Sequence, residues 1–261
     1  MKQLNWYQIF GNTHTIPDGS TVTPTDDVQI LLNCANIWDK AYTTISDLLS
    51  DTTSLLAVIV DNNAINYLVR STTFASAVTV DSTAMTDIGS NNYASNTLLD
   101  DATWATAICN SEYFESVLNA KVPVMTSATT PEGEVIGTFG AVIGGQTYYG
   151  WKCFDGSDST EGIGTATSNQ IIGYMFTSNM CLKKVHLVVD NYRRWNSGAK
   201  LQGSNDGVTW VDIHTMDSVV TGTIDLNISN NTSYLGYRFS NLNASVNPSA
   251  QTIQFYGRED V

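Results

Sequence analysis

Positive charge is scarce in this chain of 261 residues, where 12 Lys and Arg face 25 Asp and Glu, leaving a net charge of −13 with only 14% of residues charged. A surface of that sign repels a phosphate backbone, which argues against nucleic acid as a partner. Cysteines are few and far apart, at 34, 109, 153 and 181, with no Cys-x-x-Cys pair, and there are only three histidines. A zinc site is not expected from such a set; free, mostly buried thiols are. Long apolar runs are missing too. The longest aliphatic stretch, Leu55 to Val60, is far below the roughly 20 residues of a bilayer helix. Met1-Lys2-Gln3-Leu4-Asn5-Trp6 runs straight into polar residues without the apolar segment of a signal peptide. Membrane insertion is therefore not expected. Nor is catalysis: there is no glycine-rich phosphate loop, and His14, His186 and His214 lack a spaced nucleophile partner.

What is present suits a folded, two-part chain. Hydrophobic residues make up 42% and aromatics 10%, too much apolar content for a disordered polymer. Acidity is uneven: residues 1–122 carry 4 cationic and 13 acidic side chains, residues 123–261 carry 8 and 12, so the halves are −9 and −4. Residues 1–25 read as a separate docking arm. Within it Ile16-Pro17-Asp18-Gly19-Ser20 spells a turn and Thr21-Val22-Thr23-Pro24 a short extended segment. Trp6, Tyr7, Ile9 and Phe10 are apolar groups there that need cover, and homo-oligomerisation or docking on another protein would supply it.

Residues 26–122 are dominated by a repeat of ten, plain from Asp51 onward. The first position is always a small capping type: Asp51, Asp61, Ser71, Asp81, Asn91, Asp101 and Ser111. The eighth is always aliphatic: Val58, Leu68, Val78, Ile88, Leu98, Ile108 and Leu118. The fourth is mostly apolar, as in Phe74, Ala84, Ala94, Trp104 and Phe114. A cap followed by apolar residues four apart describes a short capped helix with one buried face. One long helix would not serve, because ten residues at 100° each leave the apolar stripe about 80° out of register per repeat. The spacing thus predicts helices of about two turns, broken at each capping residue and packed successively as in a solenoid, with position eight buried and the caps exposed. The repeat, clearest at Asp81-Ser82-Thr83-Ala84-Met85, resembles those of bacteriophage tail-fibre and virion proteins.

After Pro123 the pattern changes to short β-rich runs separated by turn dipeptides such as Gly144-Gly145, Asp155-Gly156 and Ser197-Gly198. The runs include Val135 to Phe139, Lys184 to Val189, Thr209-Trp210-Val211 and Thr252 to Tyr256. Residues 123–261 are read as an antiparallel β-sandwich, making the whole chain an α+β multidomain protein. Asn205-Asp206-Gly207 is a tight turn whose glycine can take positive φ, and Trp210 just beyond it reads as core. Over roughly 148–258 the order of motifs resembles the discoidin, or coagulation factor 5/8 type C, family. The residues that carry the resemblance are Lys152-Cys153-Phe154-Asp155-Gly156, Ile172-Gly173-Tyr174-Met175-Phe176, Lys200 to Trp210, Tyr237-Arg238-Phe239 and Ile253 to Gly257. The resemblance implies an eight-stranded jelly roll of the galactose-binding-like type, often a carbohydrate-binding module and seldom catalytic.

Two groups of candidate site residues follow. Asp155, Asp158 and Thr160 sit on a loop rich in hard oxygen donors of the kind Ca²⁺ prefers. In the family such a loop often holds a structural calcium closed by a late glutamate, here Glu259; the competing reading has Asp155 capping its own turn. The family's tryptophan after the threonine is replaced by Glu161-Gly162-Ile163-Gly164. The second group, Tyr192, Arg193, Arg194 and Trp195, gathers stacking surface and hydrogen-bond donors in one segment, a combination that suits a sugar; the alternative folds Trp195 onto the sandwich. Trp151 and Tyr148-Tyr149 carry the same ambiguity, with Trp151 assigned to structure. The sequence thus reads as a non-enzymatic bacteriophage virion protein, a tail-fibre or appendage component. Its arm contacts other virion proteins in a homo-oligomer, a trimer by analogy with fibres, and its last domain contacts host-surface glycan. A structural head or tail decoration is the alternative, and an accessory module of a glycoside hydrolase a third.

Overall fold

In the computed structural model, residues 14–15, 21–22, 47–48, 50–51, 59, 62–167, 169–242 and 247–259 are described. The chain divides into two compact units, residues 1–118 and 119–261. In the arm, strands β1 (His14–Thr15) and β2 (Thr21–Val22) pair antiparallel, His14 opposite Val22. Trp6, Tyr7, Ile9, Phe10, Cys34, Trp38 and Val58 lie outside the described residues.

Helices start every ten residues. They are α1 (Asn62–Leu68), α2 (Thr72–Val78), α3 (Ser82–Ser90), α4 (Asn92–Asp100) and α5 (Ala102–Asn110), followed by a 3-10 turn at Phe114–Ser116. Each break falls on a residue in extended conformation whose side chain accepts the orphan N–H groups of the next helix. Ser71 Oγ accepts from Phe74 N at 2.9 Å, Asp81 Oδ1 from Ala84 N at 2.8 Å, and Asp101 Oδ1 from Thr103 N and Trp104 N at 2.9 and 3.0 Å. Leu68, Val78, Ile88, Leu98, Ile108 and Leu118 are all buried, and so are Phe74, Ala84, Ala94 and Trp104.

Helices of two turns cannot bury their own faces, so they pack on one another, most regularly on the helix three positions away. α3 packs on α4 and α4 on α5, while α1 packs on α4, α2 on α5 and α3 on the 3-10 turn. Helix contacts thus recur at an interval of three helices. Hydrogen bonds follow the same interval: Asn91 Nδ2 donates to Ile59 O at 3.1 Å, Trp104 Nε1 to Leu68 O at 3.0 Å, and Ser111 Oγ to Thr79 O. These bonds correct the expectation of exposed caps. Ser71 is buried and Asp81, Asn91, Asp101 and Ser111 are half-buried; Asn91 and Ser111 bond carbonyls 32 residues earlier in the chain.

The second unit consists of strands β3 (Asn119–Ala120), β4 (Glu134–Gly137), β5 (Gly140–Ile143), β6 (Gln146–Tyr149), β7 (Gly162–Ile163), β8 (Gln170–Val189), β9 (Lys200–Ser204), β10 (Val211–Thr215), β11 (Gly222–Asn227), β12 (Tyr234–Leu242), β13 (Ser249–Ala250) and β14 (Thr252–Glu259). All pairings are antiparallel. The unit begins slightly before Pro123: Ala120 pairs with Tyr256, and Lys121 N donates to Phe255 O at 2.8 Å.

The 20-residue β8 serves two layers. Its first half lies between β12 and β4, its second half between β14 and β11. This gives one layer in the order β10-β9-β12-β8-β4 and another in the order β11-β8-β14-β3. Ile172 and Tyr174 from the first half, Val185, Leu187 and Val189 from the second, and Leu201, Tyr237, Phe239, Ile253 and Phe255 from the neighbours form one core. Phe239 of one layer stacks on Phe255 of the other with centroids 6.4 Å apart, which makes the arrangement an antiparallel β-sandwich. Cys109, Cys153 and Cys181 are free and buried.

Candidate functional site

The segment after β8 is shaped by one carboxylate. Asp190 Oδ1 accepts the backbone N–H of Tyr192 at 2.7 Å and of Arg193 at 2.9 Å, turning the chain sharply. Ser249 N donates to Arg193 O at 3.0 Å, and Trp195 and Val220 exchange backbone hydrogen bonds of 3.0 and 3.1 Å. The loop is thereby tied to two distant segments. Tyr192 projects from it, 87% exposed, whereas Trp195 is 0% exposed. The Trp195 indole packs 4.9 Å from the Phe239 ring and donates Nε1–H to Ser249 O at 2.8 Å.

Trp195 is therefore a core residue, which corrects its assignment to a glycan surface. The three-residue step from Tyr192 to Trp195 reverses direction because Asp190 caps the turn between them. Tyr192 and Arg193 do come together: with Asp190, Ile143 and Asn247 they line a depression of about 480 Å³. Arg193 Nη1 is anchored by Glu161 Oε1 at 2.9 Å, which fixes its planar fork. Arg194 is exposed and does not line the depression. Asp190, Ile143 and Asn247 carried no signal in the sequence, since they reach the site from three separate segments.

The Asp155 and Asp158 carboxylates do not converge. Asp155 Oδ1 accepts from Ser157 N at 3.1 Å and from Thr160 Oγ1 at 2.8 Å, and Oδ2 faces Lys152 Nζ at 3.3 Å. Asp158 turns away, its Oδ1 accepting from Thr252 Oγ1 at 2.5 Å. The Glu259 side chain lies outside the described residues. Asp155 thus caps its own turn and faces a lysine ammonium, while Asp158 is engaged by Thr252, so these two carboxylates do not form a calcium site together. Among the described residues no group of three or more His, Cys, Asp or Glu could hold a metal.

Trp210 also departs from expectation. It is half-exposed, with Arg238 stacked on its ring at 4.1 Å and its Nε1–H donated to Gly207 O at 3.0 Å. It precedes β10, and the adjoining turn explains its position. Gly207 takes φ +69°, and Asp206 Oδ1 accepts from Val208 N at 2.8 Å and Thr209 N at 2.7 Å, drawing the chain outward before the strand begins. Hydrogen bonds from the Thr209 and Val208 N–H groups and the Ser204 hydroxyl pull the Asp206 carboxyl from its ordinary 3.8 down to about 2. A carboxyl lowered in the folded state contributes stability that is complete above its unfolded value and is lost as pH falls through the folded one. The melting temperatures of the wild type and Asp206→Asn are expected to differ at neutral pH and to converge as pH falls from about 4 to about 2, read by thermal melts across that range. Trp151, by contrast, packs against the core with the Lys152 ammonium 4.1 Å from its ring, and Tyr149 is exposed.

No protein-family model matches the chain, and no curated protein is similar to it in sequence. Solved structures similar to about half of it include carbohydrate-binding modules. Chitosan-binding module 1 from a chitosanase/glucanase of Paenibacillus sp. IK-5 is 19% identical over 48% of this chain and 95% of the module, with a TM-score of 0.42. A CBM32 module from a family 31 glycoside hydrolase of Clostridium perfringens is 16% identical over 51% and 100%, with a TM-score of 0.39. The CBM32 of AlyQ, in complex with 4,5-unsaturated mannuronic acid, is 17% identical over 46% and 92%, with a TM-score of 0.38.

Proposed function

We propose that the β-sandwich unit is a non-catalytic glycan-binding module, and that its ligand lies on Tyr192. The observation that carries this reading is the depression of about 480 Å³ in which an 87% exposed tyrosine stands beside Arg193, Asp190 and Asn247. An exposed aromatic ring offers a platform for the apolar face of a pyranose, and a guanidinium, a carboxylate and an amide around it match the donors and acceptors of sugar hydroxyls. Tyr192 has no structural duty that would explain its exposure, while its backbone is rigidly held by Asp190. A shallow site of this kind binds at about millimolar strength, so several copies are needed for firm attachment. We further assign the chain to a bacteriophage virion appendage that contacts host-surface glycan, with the helical solenoid as spacer and the arm as the docking element to other virion proteins in a homo-oligomer. The ten-residue repeat supports this setting, and detection of the chain in purified particles tests it.

The glycan reading is tested by presenting the full chain, multimerised on beads, to a glycan array. Retention of a defined set of sugars is expected, with Tyr192→Ala lowering it at least tenfold and leaving stability within about 0.5 kcal/mol, as befits an exposed residue. Equal retention by wild type and Tyr192→Ala, or no sugar retained at all, would overturn it.

A further inference from the structure

The outer face of the β10-β9-β12-β8-β4 layer carries a row of side chains that the sandwich core does not need. In register, Asp212 lies opposite Gln202, Gln202 opposite Arg238, Arg238 opposite Gly173, and Gly173 opposite Ile136. Paired positions share a face of a pleated sheet, so these side chains stand side by side. Lys200 Nζ meets Asp212 Oδ2 at 2.5 Å, Asp212 Oδ1 accepts from Gln202 Nε2 at 2.6 Å, and Gln202 Oε1 accepts from Arg238 Nε at 2.8 Å. The relay ends at Arg238. Its two terminal nitrogens make no hydrogen bond among the described residues, and its guanidinium carbon lies over the Trp210 ring, 4.1 Å from the centroid.

Next to Arg238 the row has no side chain, because a Cβ at Gly173 would run into Tyr237 O and the Arg238 backbone. Depressions of about 460 and 550 Å³ flank the guanidinium and share Arg238 and Ile171. The smaller contains no carboxylate in its lining: Lys200 and Arg238 are joined there by Asn169, Gln202, Ser240 and Asn241. On a chain of net charge −13, a lining with an unneutralised guanidinium and no acid favours an anion. Lys200 is already neutralised by Asp212, so the open charge belongs to Arg238, whose planar fork matches a carboxylate. Amides and a hydroxyl suit sugar hydroxyls, and the half-exposed Ile171 supplies an apolar floor for a ring. The larger depression, lined by Trp210, also holds Glu134 and Asp206, so an anion is favoured on the smaller side of Arg238.

We propose that this face is a second ligand surface, separate from the Tyr192 depression, which takes a carboxylate-bearing sugar residue with Arg238 holding the carboxylate. The two surfaces share no lining residue, and the proposal stands whether or not Tyr192 binds glycan. It is tested by titrating the isotope-labelled full chain with glucuronate, glucose and inorganic phosphate while following the amide and Trp210 indole resonances. Glucuronate is expected to shift the signals of β9 and β12 at about millimolar concentration, and glucose and phosphate to do so at least tenfold more weakly. Arg238→Gln is expected to abolish the shifts and Tyr192→Ala to leave them unchanged. Ile171→Glu, which sets a repelling carboxylate on the shared floor, is expected to weaken them at least tenfold and serves if Arg238→Gln fails to fold. Equal response to glucose, equal response to phosphate, retention in the folded variants, or no response to glucuronate would each overturn the proposal.

Discussion

Trp195→Ala is expected to destabilise the sandwich by about 3–5 kcal/mol, the range for deleting a fully buried large aromatic. The indole is completely enclosed, packs on Phe239 and supplies the hydrogen that satisfies Ser249 O. Its removal leaves a cavity beside the inter-layer contact and strands a carbonyl. Trp195→Phe keeps most of the packing but still orphans that carbonyl, for which about 1–3 kcal/mol is expected. Denaturant unfolding of the two variants checks both values. A Trp195→Ala variant within about 0.5 kcal/mol of the wild type would mean that the residue is at the surface after all. Loss of ligand binding in Trp195→Ala is therefore no measure of a contact, and Tyr192 is the residue to vary.

Trp104→Ala is expected to cost the solenoid a similar amount, about 3–5 kcal/mol. Trp104 is 1% exposed, tilts against Phe74 at 6.2 Å and donates its indole N–H to Leu68 O, so it ties α5 to the end of α1 and to α2 at once. Helices of seven to nine residues have no stability of their own and depend on such ties. Loss of helical ellipticity at a lower temperature than the wild type is the expected readout. An exposed position on the same helix, Thr106→Ala, deletes only a hydroxyl bonded to Ala102 O and is expected to change little. Equal effects of the two substitutions would show that the solenoid is not held by contacts between its turns.

The sequence by itself determined the features that depend on neighbours along the chain. A cap at position one and aliphatics at position eight specify where each short helix starts and which side it buries, because an N-cap bond and a helical face both span only three or four residues. Alternating β runs and turns such as Asn205-Asp206-Gly207 announced the antiparallel sandwich for the same reason. Tertiary structure alone decided which aromatics face water. Tyr192 and Trp195 are three residues apart in a loop without any period, and their opposite fates depend on Ser249, Val220 and Phe239, which are distant in sequence. Trp210 reads as core from its place just after the turn, yet the Asp206 turn and the Arg238 side chain two strands away keep it half-exposed. The helix caps are half-buried because side chains such as Asn91 and Ser111 reach carbonyls 32 residues away, contacts that no local pattern announces. Asp155 and Asp158 are three residues apart on one loop, but Lys152 and Thr252 draw their carboxylates in different directions. Hydrogen bonds and packing between distant segments do not leave a period in the sequence, so the surface chemistry of this protein is readable only once the chain has folded.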